Sequence, residues 1–154
     1  MAVVVDIPGQ DKLTLEFLLL DVNGTLSDRG RLLDGVAQRL AALRGQLEPR
    51  LLSADTFGTL AAIAGELSLP YQRAASAEEK LAILHSLGPG KCVAIGNGSN
   101  DRAMLAEAGL GIAVLGSEGC SKAALEACDL VCASILDALD LLREPRVLTA
   151  TLRA

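Results

Sequence analysis

The sequence predicts an α/β domain, spanning residues 1–154, in which helices cover both faces of a mostly parallel central sheet. Segments with strand composition alternate with segments of helical periodicity, and the links between them are short. The apolar residues are almost all aliphatic, with two Phe, one Tyr and no Trp. This composition is expected where strands rich in Val, Ile and Leu are buried between helices. The chain is long enough to bury one such core.

The N-terminal half begins with two apolar runs. Val3–Ile7 and Leu13–Asp21 have strand composition, and residues 8–11 (Pro-Gly-Gln-Asp) between them are a turn signal. We therefore expect an N-terminal β-hairpin whose second strand enters the core. Apolar residues then recur at helical spacing over Leu33–Leu43, and Pro49 stops that segment. The next predicted elements are a strand at Leu51–Leu52, a helix over Phe57–Leu67 and a strand over Pro70–Arg73.

The C-terminal half continues the alternation. Ser76 and Glu79 form a capping-box pattern, which predicts a helix from Ser76 to about Ser86. Residues 87–90 (Leu-Gly-Pro-Gly) end it. Further strands are predicted over Cys92–Ile95, Gly111–Leu115 and Leu130–Cys132. Further helices are predicted over Arg102–Ala108, Ser121–Ala127, Ile135–Leu142 and Val147–Leu152.

Charge and hydropathy exclude several classes of partner. The net charge is −5, and neither a Lys/Arg cluster nor a row of aromatics is present, so we expect no binding to nucleic acid or to an anionic membrane. The longest apolar run, Phe17–Leu20, is too short to span a bilayer. The first ten residues lack the basic start and long apolar run of a signal peptide, which predicts a cytoplasmic location.

The cysteines and the single histidine are interpreted as structural. None of the cysteines forms a C-x-x-C pair, and we expect them to be small buried hydrophobes in a reducing compartment. They are Cys92, Cys120, Cys128 and Cys132. His85 lies in a helical stretch without the tightly spaced His or Cys partners that a zinc site needs.

Polar residues follow the predicted strands at three points, Asp21–Leu26, Ser53–Thr56 and Gly96–Asp101. Ligands of parallel sheets bind at the carboxyl ends of the strands, so we expect these segments to meet at one edge. Asp21 follows an apolar strand, where a charge is costly to bury unless it is paired or metal-bound. With Asp101 as a second carboxylate and backbone carbonyls nearby, the oxygen-rich donor set suits Mg²⁺.

The same segments could bind an anion. Gly24 permits a sharp turn, and Thr25 offers a hydroxyl and a backbone N–H. Ser53 could donate to a phosphate oxygen, and Lys80, in the second turn of the helix from Ser76, could neutralise charge. Each residue taken alone is more often part of an ordinary turn or a helix cap, and the residues together leave the phosphate-site and the structural interpretations equally open.

The motif order D-x-x-G-T at Asp21, then Ser53, then Lys80, then G-x-G-x-N-D ending at Asp101 resembles the haloacid dehalogenase-like superfamily of phosphoaspartate-forming hydrolases. In detail it is most similar to the phosphorylation domain of P-type ATPases in a free-standing soluble form. The resemblance implies a three-layer Rossmann-like fold with a mostly parallel central sheet. With only six residues between Leu26 and Leu33, it also implies a capless site that a large substrate or a neighbouring copy in a homo-oligomer could cover.

The resemblance also implies residue roles. Asp21 would be the nucleophile that forms an aspartyl phosphate, and Lys80 would steady both the nucleophile and the phosphoryl group. The implied phosphate-binding residues are Asn23, Gly24, Thr25, Ser53 and Lys80. The implied magnesium ligands are Asp21, Asn23 (through its backbone carbonyl), Asp101 and Asn97.

Two departures from the superfamily pattern bear on activity. Asn23 stands where superfamily phosphatases usually carry an aspartate that acts as general acid and base, and an amide cannot shuttle a proton. Asn97 stands at another usual aspartate, so the metal site has one negative charge fewer. We therefore expect a slow magnesium-dependent phosphohydrolase acting on a phosphorylated small molecule or macromolecule. The alternative is a regulatory or phosphate-binding module with little or no turnover.

Overall fold

Ten strands and seven helices make up the fold in the computed structural model, which describes residues 1–154. The strands are β1 (Val3–Val5), β2 (Leu13–Leu15), β3 (Phe17–Asp21), β4 (Ser27–Asp28), β5 (Arg31–Leu32), β6 (Glu48–Ser53), β7 (Tyr71–Arg73), β8 (Cys92–Gly96), β9 (Leu110–Val114) and β10 (Leu130–Cys132). The helices are α1 (Val36–Leu43), α2 (Leu60–Leu67), α3 (Ala77–Leu87), α4 (Arg102–Glu107), α5 (Lys122–Ala127), α6 (Ile135–Leu141) and α7 (Pro145–Leu152).

The central sheet has six strands in the order β10-β9-β8-β3-β6-β7, and every neighbouring pair is parallel. The predicted α/β class with a parallel central sheet is confirmed. The strand order places β3 between β8 and β6. The carboxyl ends of these three strands carry the polar segments singled out in the sequence, so the topology brings those segments together.

Side chains of the central strands alternate between two hydrophobic layers, as the pleat of a strand requires. In β3, Leu18 and Leu20 face the larger layer, whereas Leu19 faces the smaller one. The larger layer includes residues of α1, α2, α6 and α7 and of the N-terminal hairpin. The smaller layer includes residues of α3, α4 and α5. Both faces of the sheet are therefore covered, as the three-layer prediction requires.

The predicted N-terminal hairpin is present, with β1 antiparallel to β2, but the single strand predicted over Leu13–Asp21 is wrong. The chain divides at Glu16, where it leaves the hairpin and joins the central sheet. The Glu16 N–H donates to Lys91 O at 2.8 Å, and the Glu16 carbonyl accepts the Glu48 N–H at 2.9 Å. The apolar run therefore contributes one strand to each of two sheets, and the half-exposed Glu16 separates the two strands.

Two helices begin later than predicted because a glycine with positive φ precedes each. Gly35, with φ +90°, lies directly before α1, which starts at Val36 rather than at Leu33. Gly58, with φ +69°, lies two residues before α2, which starts at Leu60 rather than at Phe57. Such angles are incompatible with a right-handed helix, so neither glycine can be inside one.

Pro49 lies inside β6, where the sequence predicted only the end of a helical segment. It pairs with Leu18 of β3, and β7 begins opposite Leu51, so no neighbouring strand needs an N–H from Pro49. A proline is tolerated at such an edge position. Strand β6 is therefore longer than the predicted Leu51–Leu52, and α1 ends well before it.

The expected burial of the cysteines holds for two of the four. All four cysteines are free; Cys92 and Cys132 are buried, and the other two are half-buried. Burial raises the pKa of the Cys92 and Cys132 thiols to about 11. His85 lies on the surface with its Nε2 2.8 Å from Glu107 Oε1. None of the helices combines the length and the apolar character needed to cross a bilayer.

Candidate active site

Asp21 is the last residue of β3, and its neighbours across the sheet bring the other polar segments to it. Asp21 is in register with Leu52 of β6, so Ser53 lies one residue beyond it. On the other side, Leu20 is in register with Ile95 of β8, so the Gly96–Asp101 segment begins level with Asp21. Asp21, Ser53 and Asp101 are all buried.

Lys80 joins the two carboxylates. Its Nζ lies 2.9 Å from Asp21 Oδ1 and 2.7 Å from Asp101 Oδ1, and its side chain is fully buried. The side chain enters the core because Lys80 and Leu84 are four residues apart on the same face of α3. The predicted capping box starts this helix: Ser76 Oγ accepts the Glu79 N–H at 3.1 Å, and Glu79 Oε2 accepts the Ala75 N–H.

Two buried carboxylates around one ammonium leave an excess of negative charge. Burial, and then the charge of Asp101, raise the pKa of Asp21 to about 7, although Lys80 and Thr25 act in the opposite direction. Burial by itself lowers the pKa of Lys80, but the two carboxylates outweigh it, so this pKa lies above its ordinary value. Lys80 is therefore protonated at neutral pH. Asp21 is about half protonated near pH 7.

Asp101 is fixed by the loop in which it lies. Its Oδ2 accepts the backbone N–H groups of Asn97 and Gly98, at 3.1 and 2.9 Å. A Cβ atom at Gly96 would overlap the Asp101 carboxylate, so only glycine leaves room for that side chain. With Oδ1 on Lys80, both oxygens of Asp101 are engaged within the protein.

Thr25 and Asn97 complete the surroundings of Asp21. Thr25 Oγ1 donates to Asp21 Oδ2 at 3.0 Å, and it lies 3.4 Å from Asn97 Oδ1. The Asn97 amide donates to Gly119 O at 3.0 Å, which turns its oxygen toward Thr25. Gly24, with φ +78°, lies against the Asn97 amide, and a Cβ atom there would overlap it. The Thr25 backbone N–H, expected to be free for an anion, instead donates to Val22 O.

Two further predicted residues have groups free for a ligand. Ser53 Oγ accepts the Asp55 N–H at 2.9 Å, which leaves its O–H available as a donor. Asn23 is half-buried, and neither its backbone nor its side chain takes part in a hydrogen bond of the folded chain. The backbone carbonyl of Asn23 is thus an unengaged oxygen two residues from Asp21.

The donor set beside Asp21 consists of oxygens only, the kind of donor that Mg²⁺ prefers. It comprises the Asp21 carboxylate, the Asn23 carbonyl and Asn97 Oδ1. No group of three or more His, Cys, Asp or Glu side chains gathers anywhere in the structure. These residues fit a magnesium ion held by few charges and several waters. Both carboxylates accept hydrogen bonds on both oxygens, but Asp101 accepts three and Asp21 two, so Asp101 is the less available of the two as a ligand.

A small hairpin that the sequence does not predict lies directly after the Asp21–Leu26 segment. Strands β4 and β5 pair in it as an antiparallel two-stranded sheet. The Arg29 N–H at its tip donates to Glu118 Oε2 at 2.7 Å. Next to it, Gly30 packs against Phe57, on the loop that follows Ser53. The hairpin tip thus reaches the loops on both sides of β3. Its two-residue strands are too short for an alternation signal, and Gly30 is the one local hint of a turn.

A sequence model of the haloacid dehalogenase-like hydrolase family matches residues 75–137. An uncharacterised protein of Methanocaldococcus jannaschii is 48% identical over 63 residues, which are 41% of this chain and 68% of that protein. The family model therefore covers the segment that holds Lys80, Asn97 and Asp101.

Solved structures share the fold. A hydrolase from Legionella pneumophila, described as haloacid dehalogenase subfamily III A, superposes with a TM-score of 0.71 at 17% identity, covering 90% of this chain and 87% of its own. A 3-deoxy-D-manno-octulosonate 8-phosphate phosphatase from Moraxella catarrhalis, solved with magnesium, phosphate and its sugar acid, gives 0.68 at 19% identity and covers 89% and 90%.

A zinc-transporting PIB-type ATPase gives a TM-score of 0.65 at 27% identity, covering 79% of this chain and 20% of that one. It is the structure among these three with the highest sequence identity. The motif order, the three-layer fold and the family match agree, and the chain belongs to the haloacid dehalogenase-like superfamily of hydrolases.

Proposed function

We propose that this protein is a capless, single-domain phosphohydrolase of the cytoplasm that works through an aspartyl phosphate on Asp21. The observation that carries the proposal is the buried Lys80 ammonium, which holds the carboxylate of Asp21 beside that of Asp101 at one edge of the sheet. A buried triad of this kind costs stability relative to an apolar core. Such a cost is typical of functional sites.

In the proposed first step, a carboxylate oxygen of Asp21 attacks phosphorus, and the bond from phosphorus to the leaving-group oxygen breaks. Lys80 fixes the attacking carboxylate, and Ser53 donates its hydroxyl hydrogen toward the phosphoryl oxygens. Thr25, whose hydroxyl donates to Asp21 Oδ2 in the free protein, turns it toward the phosphoryl group when that group binds. In the second step, water attacks phosphorus, which frees Asp21 and inorganic phosphate. Asn23 has no proton to exchange, so water must protonate the leaving group and deprotonate the attacking water. The first step is therefore slow for poor leaving groups, and the second is slow because no side chain takes the proton of the attacking water.

Magnesium, when bound, would offset the negative charge that a phosphate brings to the two carboxylates. We propose that Asp21, the Asn23 carbonyl and Asn97 Oδ1 would hold it, with Asp101 as a further carboxylate close by. Asp101 then serves chiefly to position Lys80 and the loop that carries Asn97. Asn97 contributes an uncharged oxygen where a carboxylate would bind more tightly, so we expect weak magnesium binding.

Asp21→Asn tests the proposal directly. We expect it to lower magnesium-dependent hydrolysis of an activated aryl phosphate at least about a thousandfold, because an amide cannot form the phosphoenzyme. Asp11→Asn, in the exposed turn of the N-terminal hairpin, is the matched control and should leave the rate unchanged. Equal rates in wild type and Asp21→Asn would exclude an Asp21-based mechanism.

Asn23→Asp tests why turnover should be slow. A carboxylic acid at this position can give a proton to the leaving group and take one from water, so we expect hydrolysis to rise roughly a hundredfold. Asn23→Ala keeps the backbone carbonyl and adds no acid, and its rate should match that of wild type. If the aspartate variant folds and gains nothing, protonation does not limit the reaction.

The second candidate function is a phosphate-binding or regulatory module. Asn23 and Asn97 favour it, because both replace acids that would speed turnover or tighten metal binding. Such a module would take up phosphoryl groups on Asp21, or bind phosphate, without releasing product at a useful rate. Acetyl phosphate would then label wild-type protein, detectable by intact-mass measurement, and the label would persist for hours instead of decaying within the assay.

A further inference from the structure

Phe57 is one of only three Phe and Tyr residues in the chain, and 47% of its surface is exposed. It lies on the loop that leaves Ser53, a residue of the candidate phosphate site. Single exposed apolar residues are common on proteins, so exposure alone carries no function. The surroundings of the ring are more informative.

The loop fixes the position of Phe57 relative to Ser53. The Asp55 N–H donates to Ser53 Oγ, and Asp55 Oδ1 accepts the Leu60 N–H, both at 2.9 Å. Asp55 also accepts the Gly58 N–H through its carbonyl, which closes a turn around Phe57. Asp55 has φ +61°, an angle that few residues other than glycine adopt and that aspartate tolerates. Hydrogen bonds therefore hold the loop at both of its ends and in its middle.

The ring also borders the hairpin beside the site. A Cβ atom added at Gly30 would lie only 3.2 Å from Cβ of Phe57. Phe57 therefore packs directly against the glycine backbone at the hairpin tip. The neighbouring Arg29 N–H is held by Glu118 on the other side of β3. Phe57, the hairpin tip and Glu118 therefore form a continuous rim of loops at the carboxyl end of the sheet, the end at which β3 finishes in Asp21.

We propose that Phe57 determines substrate specificity by contacting the leaving group, and that the protein prefers phosphate monoesters whose leaving group has an aromatic or broad apolar face. This inference rests on the proposed function. Once a phosphoryl group lies against Asp21, the rest of the substrate must project past the rim, since the floor of the site is filled by buried side chains. A fixed, half-exposed ring offers such a group a stacking surface at little cost in side-chain entropy.

Binding of two phosphonates, which cannot be hydrolysed, tests the inference without turnover. We expect wild-type protein with Mg²⁺ to bind phenylphosphonate about fivefold more tightly than methylphosphonate, as judged by NMR titration. Phe57→Ala should remove this preference. Tyr71→Ala, which truncates an aromatic side chain of similar exposure on the edge strand β7, should retain it. The Phe57 ring signals should shift with phenylphosphonate.

Equal affinity for the two phosphonates in wild type, a preference that persists in Phe57→Ala, or no binding of either would overturn the inference. Its failure is distinguishable from failure of the proposed function. If hydrolysis depends on Asp21 but the phosphonate preference is absent, only the role of Phe57 is wrong. If hydrolysis is the same with and without Asp21, the proposed function itself is wrong.

Discussion

Lys80→Met is expected to lower the free energy of unfolding by about 4 kcal/mol, a large share of what a domain of this size possesses. Methionine fills similar space but brings no charge, so two buried carboxylates would face each other without a cation. The loss should shrink as the pH is lowered, because protonation removes that repulsion. Urea unfolding followed by circular dichroism is the suitable measurement, since the chain has no Trp.

Two further variants identify the cause. Lys91→Met removes an exposed ammonium that lies 3.8 Å from Glu16, and we expect it to change stability by less than about 0.5 kcal/mol. Adding Asp21→Asn to Lys80→Met removes one of the two unpaired charges and should recover about half of the loss. A Lys80→Met protein as stable as wild type at neutral pH would contradict a buried ammonium that stabilises the Asp21 and Asp101 carboxylates.

The parts of the fold that follow from local patterns could be predicted. The apolar run before Asp21 predicted the central strand, and the Ser76–Glu79 pattern predicted the start of α3. That start fixed the register of the helix and placed Lys80 in its second turn. Lys80 lies four residues before Leu84, on the same face of the helix, so its side chain points into the core and contacts the two carboxylates.

The remaining features depend on approaches between distant segments, which no local pattern encodes. Gly24 is needed because Asn97, far along the chain, packs against its backbone. Gly96 is needed because Asp101 folds back over it. The hairpin of β4 and β5 is held by Phe57 and Glu118, from two other loops, and its own strands are too short to predict. Likewise, the sequence does not show that both oxygens of Asp101 accept hydrogen bonds, because their donors come together only in the folded loop.

Stability in the absence of metal is expected to fall as the pH rises from about 4 to about 7. The pKa of Asp21 is about 7 in the folded protein, against an ordinary value of 3.8. Between these values the folded state binds more protons than the unfolded state, so unfolding becomes easier with rising pH. The shift of about three units corresponds to a loss of roughly 4 kcal/mol at most, and above pH 7 this contribution is constant.

Asp21→Asn should remove this slope, because an amide does not titrate, and its advantage in stability over wild type should grow from pH 4.5 to pH 7.5. Urea unfolding at several pH values in the presence of a chelator measures both curves, and Asp11→Asn should follow wild type.

Magnesium should reduce this loss of stability with rising pH, since a cation beside Asp21 favours the ionised carboxylate and stabilises the folded state that binds it. The proton and the metal would then compete for one carboxylate, so the pH at which magnesium begins to stabilise the protein reports when Asp21 becomes available as a nucleophile. Parallel curves for wild type and Asp21→Asn would mean that Asp21 is already ionised at pH 4.5 and that the site has no such competition.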